Sequence, residues 1–237
     1  MRAITFPDGS RFYECDGKLL PSVTTVLAAT RTKKEREKLE KWEAEVGIEQ
    51  AQRIRQESLA RGTALHRMIE SYFDGDEVDC PEHLSGFWEQ TRKVLPHIPE
   101  YLSSELTVTH PKEGYAGTLD LLGFWLSHEN LTLFDFKTSS KPKRRNWLDE
   151  HQLQVSAYIK ALESAEFEGI NQGMIVVLTP YNFQLFSLER EDIEQCYKSW
   201  LRRKEKYDKT HFPPSSFEEL TACAHLPQKE LQSKVTV

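Results

Sequence analysis

Cysteine is scarce in this sequence and arranged for nothing. The four residues, Cys15, Cys80, Cys196 and Cys223, are scattered with no CxxC pair, so neither a zinc site nor a disulfide framework is expected and the thiols read as reduced. Long apolar runs are missing too. The run at 174–178 is far too short to span a bilayer, and the N-terminus has neither a basic-then-apolar signal pattern nor an Arg-rich transit peptide. No repeat, low-complexity tract or GxxxxGK[S/T] loop occurs, which removes the nucleotide-driven readings. Positive charge is in the minority: 31 Lys and Arg against 37 Asp and Glu give a formal net charge of −6. That argues against a generic nucleic-acid coat and leaves room for a local basic track, such as Lys141, Lys143, Arg144 and Arg145. What is present, 38% hydrophobic and 29% charged residues in 237, suits one soluble globular domain. Its core is expected over about 21–208, with a loosely held tail over 209–237.

The chain is organised around 117–137, GTLDLLGFWLSHENLTLFDFK. Apolar runs at 119–126 and 131–136 flank a polar segment, 127–130, of the length that joins antiparallel strands. Alternation puts Asp135 and Lys137 on one face with Leu131 and Leu133, and Thr132, Phe134 and Phe136 on the other. With 127–130 as the whole loop, Asp120 falls opposite Lys137 and diagonal to Asp135. Three charges then meet at the end of an apolar hairpin, where an unpaired charge is costly. Two readings stand: a salt bridge at a solvated strand end, or a divalent cation held by Asp120 and Asp135 with Lys137 beside a substrate.

Around this hairpin the patterning predicts a short hairpin over 4–14 turning at Asp8-Gly9, then a helix start capped by Ser22. A helix N-terminus with nearby hydroxyls such as Thr24 can also hold a phosphate, though capping alone accounts for it. A charged helix is expected over 33–46. A longer one follows over 49–73, with Ile54, Ser58, Leu65, Ile69 and Tyr72 as its apolar stripe. Gly62 and His66 lie one turn apart on it, and a glycine there suits close backbone approach. His66 alone reads as a boundary histidine, and Arg61 as helix surface. Further expectations are a helix over 81–95 and a strand over 104–109 with Leu106 and Val108 inward and Glu105 on the other side. A helix through Leu148, Val155, Ile159 and Leu162 carries Gln154 and Tyr158 one turn apart. Strands at 173–178 and 183–188 precede a last helix over 191–207, whose Arg202, Arg203, Lys204 and Lys206 face water or an acidic partner. Strands with helices before, between and after them imply an α/β fold with a central mixed sheet.

Taken in order, the chemically unusual residues are Gly62 to His66, Glu105, Gly117 to Asp120, Asp135-Phe136-Lys137, and Gln154 to Tyr158. That order of GxxxH, GxxD, (D/E)xK and QxxxY resembles the RecB-type nucleases of the PD-(D/E)XK superfamily. The stretches PSVTTVL from Pro21, Trp42, RGTALH from Arg61, DFKTSSKPK from Asp135 and GMIVV from Gly173 extend the likeness over roughly 21–207. They resemble the mitochondrial genome maintenance exonuclease family and its bacterial and phage relatives. The resemblance implies a PD-(D/E)XK core with an N-terminal helical segment. It implies a metal-dependent exonuclease acting on single-stranded DNA from free ends, in replication, repair or recombination, with a structure-selective endonuclease or a silent binding module as alternatives. His66, Asp120, Asp135 and the Phe136 carbonyl would ligate Mg²⁺ or Mn²⁺, and Lys137 would be the catalytic lysine. Glu105 would bind a second metal or water, or be an ordinary surface strand residue. Gln154 and Tyr158 would contact the lysine or substrate backbone. Ser22, Thr24, Arg61, Thr138, Ser139, Lys141 and Lys143 would meet the strand. The clustered C-terminal cysteines of the iron–sulfur branch are lacking, so no cluster is expected. The absent transit peptide points to a bacterial or phage protein, cytoplasmic and monomeric, with replication or repair proteins as partners and no membrane association.

Overall fold

The polar gaps in the sequence become turns, and the apolar runs between them become two sheets and the helices that cover them. The computed structural model describes residues 2–6 and 8–211. The tail from 212 onward therefore lies outside the described residues. Three antiparallel strands, β1 (Arg2–Thr5), β2 (Arg11–Cys15) and β3 (Lys18–Pro21), form a small sheet. It is one strand larger than the Asp8-Gly9 signal predicts, because Asp16 and Gly17, both at positive φ, turn the chain back a second time.

Among the described residues six α-helices follow in chain order: α1 (Val23–Ala29), α2 (Lys33–Val46), α3 (Ile48–Asp74), α4 (Ser85–Val94), α5 (Asp149–Ser164) and α6 (Arg190–Thr210). The main sheet has the order β4 (Tyr101–His110), β5 (Tyr115–Phe124), β6 (Leu131–Thr138), β7 (Gln172–Leu178), β8 (Phe183–Leu188). All its neighbours are antiparallel except β6 and β7. A parallel pair needs a crossover, and α5 supplies it. The fold is thus α/β with a central mixed sheet between helical layers. On one face Leu133, Ile175 and Val177 pack with residues of α1, α5 and α6. On the other, Phe134, Phe136, Met174 and Val176 pack with residues of α3 and α4. Both faces of β6 are therefore covered, which is why Leu131 to Phe136 are buried without a break.

Local chemistry sets the helix ends. Ser22 Oγ accepts from Thr25 N at 3.0 Å, and Thr32 with Glu35 forms a capping box at the start of α2. Gly47, at φ +85°, is the single residue joining α2 to α3, a conformation that side chains disfavour. No residue of α2 is buried. In α3 the buried positions are Ala51, Leu65, Met68 and Ile69, of which only the last three, in its second half, join the core against the main sheet. The expected stripe is corrected at its end: Tyr72 is 37% exposed and Met68 occupies the inward position. Arg55 pairs with Glu43 and lies 5.6 Å over the Trp42 ring, tying the two helices together.

Three further expectations are corrected. The β5–β6 ladder pairs Phe124 with Leu131 and Leu121 with Phe134. The loop is therefore 125–130, and the register stands two residues from that expected, with Asp120 level with Asp135 rather than Lys137. A shift of two preserves which face each side chain takes. Gly62 admits no close backbone: nothing lies within 4 Å of where its Cβ would be. On α6, Arg203 donates to Thr30 Oγ1 and Glu150 Oε1, and Lys204 is 6% exposed and bonds Asp208. Arg203 thus ties α6 to Thr30 and α5, and Lys204 is buried instead of facing water.

Candidate functional site

One corner of the main sheet gathers side chains from four elements. Leu65 and Ile69 on α3 are buried against the sheet, and this packing aims the neighbouring His66 at β6. Its Nε2 lies 3.1 Å from the Phe136 carbonyl oxygen and 3.5 Å from Asp120 Oδ2, while Nδ1 lies 3.2 Å from Glu105 Oε1. Both ring nitrogens thus face acceptors, which suits a ring that is protonated on both. Burial pulls the imidazole pKa down, but the Asp120 charge and the Glu105 hydrogen bond outweigh it and raise it to about 9.

Asp120 accepts from Phe136 N at 2.7 Å. Burial raises its carboxyl to about 6, against the opposing pull of Lys137 and His66. Lys137 Nζ donates to Asp135 Oδ1 at 2.6 Å and lies 3.9 Å from Asp120 Oδ2. Burial disfavours its charge, yet the Asp135 and Asp120 carboxylates outweigh this and raise its pKa, so it stays an ammonium. Asp135 is 1% exposed, and among the described residues its Oδ2 has no hydrogen-bond partner.

The backbone departs from regularity at the same corner. Glu105 has φ +47°, an αL conformation that costs a non-glycine residue roughly 1–3 kcal/mol. The β4–β5 ladder pairs Ser104 with Leu121 and Leu106 with Leu119 and skips Glu105 and Asp120 between them. Leu119 belongs to the core under α5, whereas Leu121, two residues on, belongs to the core under α3. Strict alternation therefore fails at Asp120.

Behind the charges, Gln154 Nε2 donates to Tyr158 Oη at 3.3 Å. The Tyr158 ring lies against Gly117, where a Cβ would come 2.4 Å from Cε1. Burial, with the Asp135 and Asp120 charges, pushes the Tyr158 phenol well above its usual pKa. His151, not singled out from the sequence, also faces this site. Its Nδ1 is 4.0 Å from Asp135 Oδ2, and neither atom has a hydrogen-bond partner. Its position three residues before Gln154 and seven before Tyr158 was the available signal, because such spacing shares a helix face.

The residues expected along a bound strand divide. Ser22 is 2% exposed and its Oγ donates to Thr25 Oγ1 at 2.8 Å, so capping consumes it. Thr24 is exposed, 3.0 Å from that same Oγ. Arg61 stacks over Phe87 at 5.2 Å. Ser139 is buried and donates to the Lys141 carbonyl. Thr138 and Lys143 are half-buried, and Lys141 is exposed.

The donor set fits a hard divalent cation. One ligand atom each from His66, Glu105 and Asp120 lie within 4.8 Å of one another, and the Phe136 carbonyl faces the same ring. The raised His66 pKa says that the chain already favours positive charge at this point. Oxygen-rich donors with one imidazole suit Mg²⁺ or Mn²⁺.

No family model matches the chain. A solved structure from Eubacterium rectale, assigned as an exonuclease, is 11% identical with a TM-score of 0.41, covering 72% of this chain and 74% of that one; the likeness is too distant to carry an argument. Mitochondrial genome maintenance exonuclease 1 of Xenopus tropicalis is 29% identical over 209 residues, covering 80% of this chain and 58% of the relative. The chain is likewise homologous to Mitochondrial genome maintenance exonuclease 1 of Homo sapiens, 29% identical over 206 residues that cover 80% of this chain and 58% of that protein's length.

Proposed function

We propose that the chain is a metal-dependent DNA exonuclease of the PD-(D/E)XK type, working as one nuclease domain on single strands from a free end. The observation that carries this is the meeting of His66, Glu105, Asp120 and the Phe136 carbonyl beside the Asp135–Lys137 pair. The likeness to genome maintenance exonucleases, over part of their length, supports it. His66 Nε2, Asp120 and the Phe136 carbonyl would hold Mg²⁺ or Mn²⁺, with Asp135 offering its unpartnered Oδ2. Bound there, the ion would acidify water and polarise the scissile phosphoryl group. Glu105, on Nδ1, would fix the ring and its tautomer as an orienting carboxylate. The rest is the chain's own work. The Lys137 ammonium, anchored by Asp135, directs the attacking water and offsets negative charge as the new P–O bond forms and the old one breaks.

A free end is proposed because α2 and the first half of α3 bury almost nothing against the body, yet α3 leads directly into His66. A helical pair so placed would let a strand reach the site from its end. The test incubates labelled linear single strands, the same sequence circularised, and duplex DNA with Mg²⁺, Mn²⁺ or EDTA. Cleavage of the linear strand alone, abolished by EDTA, is expected. No metal-dependent cleavage of any substrate overturns the enzyme reading; equal initial cleavage of the circle overturns only the end requirement.

A further inference from the structure

The loop that leaves Lys137 does not return at once to the body; it follows the outer edge of the sheet. β8 is an edge strand. Lys143 N donates to Gln184 Oε1 at 2.7 Å, and Gln184 Nε2 donates back to the Lys143 carbonyl at 3.0 Å. Two residues later Arg145 donates to the Ser187 carbonyl at 2.8 Å and to Asp192 Oδ2 at 3.2 Å. The loop thus runs along β8 for three residues, roughly 10 Å at strand rise, and Arg145 is spent in fixing it. Its neighbours are not spent. Among the described residues no carboxylate pairs with Lys141, Lys143 or Arg144.

Two large aromatic side chains stand at the ends of this basic run. Tyr181 is 86% exposed and Trp147 is 58% exposed. The backbone that carries each is fixed. Tyr181 tips the β7–β8 turn, in which Thr179 Oγ1 accepts from Tyr181 N and Asn182 N and donates to Asn182 Oδ1 at 2.7 Å. Pro180 stiffens the same turn and sits against Gly86 of α4, where a Cβ would meet its carbonyl oxygen at 2.9 Å. Trp147 closes a 3₁₀ turn, Arg145–Trp147, and the Arg144 guanidinium lies 5.6 Å over its ring. Such exposure of aromatic faces wins nothing for folding.

Cations without a carboxylate partner among the described residues, set between two exposed aromatic side chains on a path that begins at the site, match what a single nucleic-acid strand offers: phosphates at regular spacing and unpaired bases. We propose that Tyr181 and Trp147 stack bases of the strand, while Lys141, Lys143 and Arg144 meet the phosphates between them. The inference rests on the proposed nuclease reading and adds its substrate discrimination. A duplex keeps its bases stacked internally and cannot use these faces, so the track selects single strands by base stacking as well as by access.

The test measures binding of the full chain, in EDTA to prevent cleavage, to labelled oligothymidylate and to an abasic strand of equal length and charge. Tyr181→Ala and Trp147→Ala should each weaken oligothymidylate binding roughly 5- to 150-fold, with binding to the abasic strand and the slope against log salt unchanged. Tyr181→Phe and Trp147→Phe should restore most of the loss. Arg144→Gln should weaken both strands alike and flatten the salt slope by about 0.7. Both aromatic residues are exposed, so these variants retain the fold. Variants that bind oligothymidylate like wild type, or that lose both strands equally, overturn the stacking track. If wild type binds and cleaves DNA while this occurs, the nuclease reading survives; if wild type does neither, both fall.

Discussion

Replacing Lys137 with methionine separates what the ammonium does for the fold from what it does for the reaction. Asp135 is 1% exposed, and Lys137 Nζ, at 2.6 Å, is its hydrogen-bonded counter-ion. Its other oxygen already lacks a partner. Lys137→Met therefore strands a buried carboxylate, and breaking a buried pair costs about 3–5 kcal/mol. The Lys137 side chain is 25% exposed, which admits water to the gap and argues for the lower end, about 3 kcal/mol. For a chain of this size each kcal/mol moves Tm by roughly 2–4 °C, so the metal-free variant should melt about 6–12 °C below wild type. Adding Asp135→Asn removes the stranded charge and should recover at least half of that loss.

The assay is thermal denaturation in EDTA for wild type, both single variants and the double variant, with DNA hydrolysis measured beside it. Stability and activity should part company. The double variant regains melting temperature and stays inactive, since loss of one preorganised donor alone costs about 10²–10³ in rate. A Lys137→Met chain that melts within 2 °C of wild type, or a double variant less stable than the single, would refute the claim that this pair is buried and mutually dependent.

Metal affinity should rise with pH, because a ligand ring with a pKa of about 9 must lose a proton to bind; calorimetry of Mn²⁺ binding at pH 7 in two buffers should report release of close to one proton, and a pH-independent affinity would count against His66 as a ligand. The sign reverses for the metal-free fold: the folded chain holds that proton more tightly than the unfolded one, so the His66 contribution is complete below about 6.5 and fades as pH rises through about 9, which melting in EDTA against pH will test. Gly117→Ala should destabilise by about 1–3 kcal/mol, since its Cβ would stand 2.4 Å from the Tyr158 ring. Combining it with Tyr158→Leu should cost less than the two alone added together, and strict additivity would show that the ring is not the obstacle.

Most elements were legible in the sequence because their signals are local. The Ser22 cap, the apolar run of β6 and the spacing along α5 each need only a few neighbouring residues to act. The site was legible in part for the same reason: alternation along β6 places Asp135 and Lys137 together whatever their partners do. What failed was whatever depends on distant residues. The hairpin register is set by how β5 fits the cores on both faces, so 125 and 126 joined the loop although Trp125 and Leu126 look like strand. Arg203 read as solvated because its partners Thr30 and Glu150 lie far away in the chain. His151 was passed over because Asp135 Oδ2, the atom that singles it out, is sixteen residues away in sequence.

The site stands where the sheet stops being a sheet, and this follows from hydrogen-bond accounting. In a regular ladder Leu119 and Phe136 would be the next hydrogen-bonded pair after Leu121 and Phe134, and the Leu119 carbonyl would satisfy Phe136 N. Here the β5–β6 pairing ends at Leu121 and Phe134, and the next inward amide, Phe136 N, is satisfied by the Asp120 side chain at 2.7 Å instead. That exchange fixes the Asp120 carboxylate. On the other side of β5 the ladder skips Asp120 and Glu105, and Glu105 takes the αL conformation that turns its carboxylate toward His66. One interruption therefore supplies an anchored carboxylate, an oriented imidazole and a carbonyl facing that ring. Restoring the ladder would dissolve all three at once. The strain at Glu105 is thus an ordering device: a residue relaxed into extended backbone there would continue the strand and turn its carboxylate away from His66.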